Sequence, residues 1–312
     1  GILLAAMLVF PLMGFSQYVY RIAVVSVLYA ILAMSLNLIA GVAGQISLGH
    51  IAFYGIGAYT SALLCVNFGV SVWVGILAAF VVSMLFGLLI AIPTLKLSGG
   101  YLAILTMSFA EIIRLILLNW TSVTRGPMGI LNIPKPSLFG YTIKSSGAFL
   151  YLVLTVAIIV YIGLHNLIHS RFGRNLQALR DDEISSESMG INVYRYKVIA
   201  FVISTGVAGV AGALFASYME FIDPSSFISD ESTVILSMVV LGGMGNMNGS
   251  IIAAALLTIL PEALRSFSDY RMLVYGVVLV AMMLLKITDW AAIKRSLKTA
   301  LNFKTGGKES GT

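Results

Sequence analysis

The chain has 312 residues, 59% hydrophobic and 10% charged, with a mean hydropathy of +0.98. A soluble fold of this length needs far more polar surface than that, and uninterrupted runs such as YLVLTVAIIVYIGL belong to a bilayer core about 30 Å thick. The composition defines a polytopic membrane protein. The formal charge of +6 comes from basic residues lying beside apolar spans, where membrane topology places them, and gives no ground for nucleic-acid binding.

Ile2 to Leu12 is too short to span alone. It has no basic n-region and no small-residue cleavage site, so it does not read as a signal peptide. No initiator Met precedes it, and we count it as a first span whose start is trimmed. Ile22 to Ala40 is a second span, and it stops at GVAGQISLGH, where Gly41, Gly44 and Gly49 surround Gln45, Ser47 and His50. A broken helix is expected there. Ile51 to Val66 follows as a third span, whose Gly55 and Gly57 would let another backbone approach closely. It carries the single cysteine, Cys65, which excludes an internal disulfide and reads as a small buried residue.

Val72 to Ile92 is a fourth span ended by Pro93, and Tyr101 to Trp120 a fifth that carries Glu111 and Arg114. At i, i+3 these two charges lie on one helix face and can neutralise each other, either as a structural pair or in a substrate path. A polar loop, TSVTRGPMGILNIPKPS, leads to a sixth span, Ala148 to Ile168.

Ser170 to Gly190, SRFGRNLQALRDDEISSESMG, is an island of polarity with 7 charges in 21 residues. Its apolar residues Leu176, Leu179, Ile184 and Met189 are too sparse for a span but suit a short surface helix ending at a glycine. Val198 to Tyr218 crosses back as a seventh span. The next loop, MEFIDPSSFISDE, is acidic, with Glu220, Asp223, Asp230 and Glu231. Thr233 to Leu241 has only 9 residues before GGMGNMNGS, so this eighth segment is short or re-entrant and needs protein around it. Ile251 to Leu264 and Met272 to about Trp290 bring the count to ten, ahead of a basic tail over 291–312. Trp73, Trp120 and Trp290 all fall at span ends, as in an interfacial aromatic belt.

Ten crossings place the charged island and the C-terminus on one side, together with twelve Lys and Arg residues against six on the other. The positive-inside rule makes that side cytoplasmic. The fold expected is therefore all-α, one membrane domain over 1–312 of about ten transmembrane or re-entrant helices, with a cytoplasmic docking helix.

No G-x-x-x-x-G-K-[ST] loop is present, so ATP would have to be handled by another chain. His165 and His169 lack nearby Cys or carboxylate ligands, and no Ser/His/Asp constellation supports an enzyme. The breaks around Gly41 and around Gly242, Gly243 and Gly245 fall in separate halves of the chain, which is the pattern of a transporter substrate path; tight turns between short helices are the alternative.

The blocks LNLIAGVAGQISLGHIAFYGIGAYTSALL, GGYLAILTMSFAEIIRLILLNWTSVTRGPMGI, SRFGRNLQALRDDEISSESMGINVYRYKVIAF and VVLGGMGNMNGSIIAAALLTILPEALR resemble, in this order, the LivM-type permease of bacterial branched-chain amino acid ABC transporters. The resemblance implies a permease without cofactors of its own in the bacterial inner membrane, importing Leu, Ile and Val. It also implies a LivH-type partner permease, two cytoplasmic ATPase subunits that use ATP and Mg, and a periplasmic or lipid-anchored binding protein. The charged island matches the ATPase-coupling loop, with Arg174, Arg180, Asp181, Asp182, Glu183, Glu187 and Gly190 as coupling residues. It follows the E-A-A-and-glycine pattern of ABC importers only loosely, through Glu183, Ser185, Ser186 and Gly190. Gly41, Gly44, Gln45, Ser47, Gly49, Glu111, Arg114, Gly242, Gly243 and Gly245 would line the solute path. Rival readings are a permease for urea or another small solute, an ion-coupled secondary transporter using Glu111, and a passive channel.

Overall fold

A computed structural model describes residues 16–94, 100–138, 141–143 and 145–263, with Gly276 and Val280. The first helix among the described residues, α1 (Gln17–Asn37), runs into a π-helical turn, Leu38–Val42. It is followed by α2 (His50–Phe68), α3 (Val72–Thr94), α4 (Gly100–Asn119) and the single turn α5 (Thr121–Thr124). Then come α6 (Ser146–His169), α7 (Arg171–Asp181), α8 (Glu183–Ser188), α9 (Val193–Met219), α10 (Ser229–Gly242) and α11 (Met247–Ala263). The chain divides into two compact units, Gly1–Ile259 and Leu260–Thr312, and only 260–263, 276 and 280 of the second are described.

Among the described residues, 7 helical stretches are long and apolar enough to cross a membrane, counting α10 together with the turn that begins at Pro224. With the shorter α11 they account for the second to ninth expected spans. The first expected span and the basic tail lie outside the described residues, as does all of the tenth span except Gly276 and Val280.

These helices are sorted by residue size more than by polarity. On α3 the small residues Ala79, Ser83, Gly87 and Ala91 recur every fourth position and are buried, while Leu77, Val81, Leu85 and Leu89 on the opposite side are 53–66% exposed. Where lipid is as apolar as leucine, small side chains that let backbones touch decide which face packs inward. The same logic builds the centre around α9, which packs on α1, α2 and α3. A Cβ on Gly57 would lie 2.2 Å from the Gly209 carbonyl oxygen, and one on Gly212 would lie 1.9 Å from that of Tyr54. Substituting either glycine would push α2 and α9 apart. Phe53 fills the space beside this contact, with ring centroids 5.5 Å from Phe109 and 5.8 Å from Phe201.

Two expected boundaries move. The α3 helix runs through Pro93 to Thr94: Pro93 denies the Leu89 carbonyl its helical N–H donor, which weakens the helix there without ending it. The eighth segment is longer than 9 residues: α10 has 14, starting at Ser229, with Asp230 and Glu231 in its first turn, where acidic side chains complement the helix dipole. At about 1.5 Å per residue this helix still falls short of a full crossing.

The loops after α4 and α9 are joined. Strand β1 (Ile130–Leu131) pairs antiparallel with β4 (Phe221–Ile222), while β2 (Ser137–Leu138) and β3 (Tyr141–Thr142) form a small hairpin. Lys135 lies 2.6 Å from Glu220, so the acidic loop receives a cation from the loop paired with it. Asp223 accepts hydrogen bonds from the Ser225 and Ser226 hydroxyls.

Candidate functional site: two glycine breaks and a polar arm

The first break is a graded unwinding. Ala43 N–H bonds to the Leu38 carbonyl at 3.1 Å and Gln45 N–H to that of Ile39 at 3.0 Å, so the ring closes over five residues and then six. Gly44 then takes φ +70°, which a glycine adopts without strain. From there to Gly49 the chain has no regular secondary structure, with Gln45 and Ser47 turned inward at 5% and 0% exposure and Ile46 turned outward at 42%. The inward side is held by Thr106 on α4, whose hydroxyl accepts the Leu48 N–H at 3.0 Å. A Cβ on Gly49 would lie 2.3 Å from the Thr106 carbonyl oxygen.

At the start of α2, His50 is fully buried and its Nε2 lies 2.7 Å from Ser35 Oγ. Ser35 donates its own proton to the Leu32 carbonyl at 2.8 Å, which makes the imidazole Nε2 the donor in that pair. His50 Nδ1 and Gln45 Oε1 are buried acceptors without a protein partner.

The second break packs directly on the first. Gly245 N–H donates to Asn37 Oδ1 at 2.8 Å, and Asn37 Nδ2 donates to Ser250 Oγ at 3.1 Å. A Cβ on Gly41 would sit 2.2 Å from the Gly245 nitrogen. Gly243 and Gly245 both have positive φ, and Gly242 lies against the start of α11, where its Cβ would come within 2.3 Å of Ser250 N. The fully buried amide of Asn37 thus bonds one group in the turn of the second break and one on α11 that follows it.

The charged island forms a polar arm of two helices, not one. Ser170 ends α6 and caps α7, accepting the Phe172 and Gly173 N–H groups. Leu176 and Leu179 are buried, and Phe172 stacks on Tyr196 of α9 with centroids 5.1 Å apart. The arm kinks at Asp182, which is extended and caps α8 by accepting the Ser185 N–H at 3.0 Å and hydroxyl at 2.6 Å. These bonds, the hydroxyl's first, hold the Asp182 carboxyl below its ordinary range. Gly190, φ +82°, follows α8.

Several of the charges expected to face a partner are used within the chain. Glu183 lies 2.7 Å from Lys197, Arg174 donates to the His169 carbonyl at 2.9 Å, and Arg180 contacts Asp181 at 3.2 Å. Glu187 is exposed, and the most exposed large apolar residues of the arm are Ile184 at 80% and Met189 at 84%. Arg180 also reaches the first break: its Nη1 donates to the Gly41 carbonyl at 2.7 Å.

Glu111 and Arg114 form the expected pair, with a shortest contact of 2.5 Å and Nε 3.0 and 3.1 Å from the two carboxylate oxygens. Ser229, at the start of α10, donates to Glu111 at 3.4 Å. These contacts tie the pair to α10 and not to the glycine breaks. The sequence reading missed Asn37, Ser250, Lys197 and the bond from the Tyr29 hydroxyl to Glu231 at 2.7 Å. A lone amide in the apolar run SLNLIAG, four residues before Gly41, was the available signal for Asn37.

A bundle of apolar helices interrupted at two adjoining glycine breaks, with a polar arm strung between two spans, defines a membrane permease. Residues 18–284 match the family model described as the permease component of the branched-chain amino acid transport system. The chain is 41% identical to the high-affinity branched-chain amino acid transport system permease proteins LivM of Salmonella typhimurium and Escherichia coli K12, over 84% of this chain and 67% of each relative. It is 26% identical to the LivH permease protein of Salmonella typhimurium, over 88% of this chain and 94% of that one. No solved structure matches. The chain belongs to the family of branched-chain amino acid transport permease components, and it is a transport component and not an enzyme.

Proposed function

We propose that this chain is the LivM-type half of an ATP-driven importer for Leu, Ile and Val, paired with a LivH-type permease. Two cytoplasmic ATPase subunits supply ATP and Mg chemistry, and a periplasmic or lipid-anchored binding protein delivers the amino acid. The chain acts as one permease domain in the inner membrane, with the polar arm and the C-terminus on the cytoplasmic side. The likeness to both LivM and LivH proteins supports the pairing.

The observation that carries the reading is the arm itself. Ser170 is at once the C-cap of α6 and the N-cap of α7, so the arm follows one span without an intervening loop, and Phe172 and Glu183 tie it to the start of the next, α9. A push on the arm is therefore a push on two spans. Ile184 and Met189 offer the apolar contact that a docking partner would cover, with Arg174, Arg180, Asp181, Asp182, Glu183, Glu187 and Gly190 shaping the arm around them. In the solute path we place the outward side of the first break, Gly44 and Ile46, with Gly41, Gln45, Ser47 and Gly49 behind it and Gly242, Gly243 and Gly245 beside it. Glu111 and Arg114 would sit farther along that path.

Reconstitution in liposomes with candidate partners tests this. Stoichiometric co-purification of a P-loop ATPase and ATP-dependent uptake of Leu, Ile and Val are expected. Accumulation driven by pH without ATP would overturn the reading in favour of an ion-coupled carrier.

A further inference from the structure

The Arg180 contact joins the polar arm to the place where both glycine breaks meet. Arg180 lies in the last turn of α7, and one edge of its guanidinium is occupied by Asp181, with Nε at 3.3 Å and Nη2 at 3.2 Å from Oδ1. The remaining Nη1 crosses 139 positions of sequence to the Gly41 carbonyl at 2.7 Å. That carbonyl lies in the widened end of α1, where acceptors lose their helical donors and a cation is favoured.

The side chain runs past two glycines on this path while keeping 39% of its surface exposed. A Cβ on Gly44 would lie 2.6 Å from Arg180 Cγ, and one on Gly245 would lie 3.6 Å from Nη1. Both glycines have positive φ; Gly44 leaves room that a side chain would take from the Arg180 stem, and Gly245 adjoins the guanidinium at ordinary contact distance. Gly41 is itself bound into the second break, since its neighbour Gly245 hydrogen-bonds Asn37 one turn earlier in α1. One side chain of the arm therefore holds the unwound end of α1 and, through it, the turn between α10 and α11.

We propose that Arg180 is a positioning residue that transmits movement of the arm to the two glycine breaks, so that displacement of α7 shifts the Gly41 and Gly245 backbones together. The proposal rests on the importer reading above and adds the internal path by which the arm acts. A helix cap alone would contribute stability and nothing else; a transmitting contact sets how much transport accompanies each ATP hydrolysed.

The test uses the reconstituted transporter and compares the parent with Arg180→Gln and Arg180→Lys. Three quantities are read: ATPase co-purification, basal ATP hydrolysis, and substrate taken up per ATP hydrolysed. Arg180→Gln is expected to assemble and, whatever its basal hydrolysis, to lose uptake per ATP hydrolysed by at least about fivefold, the lower end of an ordinary coupling between sites. Should Arg180→Gln fail to assemble, Arg180→Lys, which keeps the charge but not the fork, is expected to show the same loss in a smaller measure. An assembled variant with the parental ratio overturns the proposal, and so does failure of both variants to assemble, which would make Arg180 a structural cap. Uptake by the parent without ATP would overturn the importer reading and this proposal with it, whereas an ATP-driven parent matched by Arg180→Gln overturns this proposal alone.

Discussion

Lys197 and Glu183 form the contact that fastens the tip of the polar arm to α9, with Nζ 2.7 Å from Oε2 and the lysine side chain only 11% exposed. Glu183 is half exposed, so removing it costs less than breaking a fully buried pair, on the order of 1–2 kcal/mol. Glu183→Lys should cost more, because it sets two cations against each other in a partly buried site. We expect Glu183→Lys to lower the melting temperature of the purified protein, and the swapped pair Glu183→Lys with Lys197→Glu to recover most of the loss. Equal melting temperatures for all three proteins would show the pair to be idle.

The docking role of the arm is better tested at its apolar tip than at its charges, since Asp182 and Glu183 are used internally. Ile184→Asp and Met189→Asp alter side chains that bury almost nothing within this chain. Their melting temperatures should match the parent. Co-purification of the ATPase should fall about tenfold or more, the effect of losing one apolar anchor worth about 1.5–3 kcal/mol. Undiminished ATPase binding by the double variant would remove the arm's tip from the interface.

Asp182 carries a pH dependence whose sign follows from its bonds to Ser185. Its folded carboxyl titrates below the unfolded one, so the capping contribution is present above the unfolded value of about 3.9 and is lost as pH falls through the folded value. Amide exchange at Ser185, measured from neutral pH downward and corrected for intrinsic rates, should stay protected to about pH 4 and open below it. Asp182→Asn should flatten that profile while keeping most of the cap.

Labelling the first break should separate its two sides. With Cys65 replaced by Ser, a cysteine at Ile46 should react with a water-soluble thiol reagent about tenfold faster than one at Ser47 in the nucleotide-free transporter, because a packed side chain reacts only through local opening. Equal rates would mean that the segment turns both sides to water.

Glu111 and Arg114 neutralise each other, so Glu111→Gln should leave uptake ATP-dependent. Arg114→Ala alone strands the carboxylate and should be less stable than the double neutral variant by on the order of 1 kcal/mol, a few degrees in melting temperature. Loss of proton-driven accumulation in Glu111→Gln, with a parent that needs no ATP, would support the carrier mechanism instead.

The spans were legible because each is a continuous apolar run closed by glycine, proline or charge, and α1 to α4, α6 and α9 follow those runs within a few residues. The Glu111–Arg114 pair was legible too, since spacing along one helix determines it. What the sequence left open was which face of each span turns inward, because a helix that is apolar all round has no polar face to read. The meeting of the two breaks was hidden for another reason. It depends on Asn37 and Gly245, 208 positions apart, and no local pattern encodes that distance. The kink at Asp182 was missed because a run of charges looks like one solvated helix, although Asp182 followed by Ser185 three residues later is a capping signature.

The way α1 ends has a mechanical meaning of its own. Upstream, Ile31, Leu32, Ala33 and Leu36 are wholly enclosed, so that part of the helix has no freedom to slide. Over the next turn the rings widen from four residues to five and then six. Each wider ring closes over more chain than an α-helical one, so α1 ends on extra chain length below its enclosed turns. The break thus holds a small reserve of slack in the polypeptide, and the guanidinium of Arg180 grips the strand at Gly41, where that slack is stored.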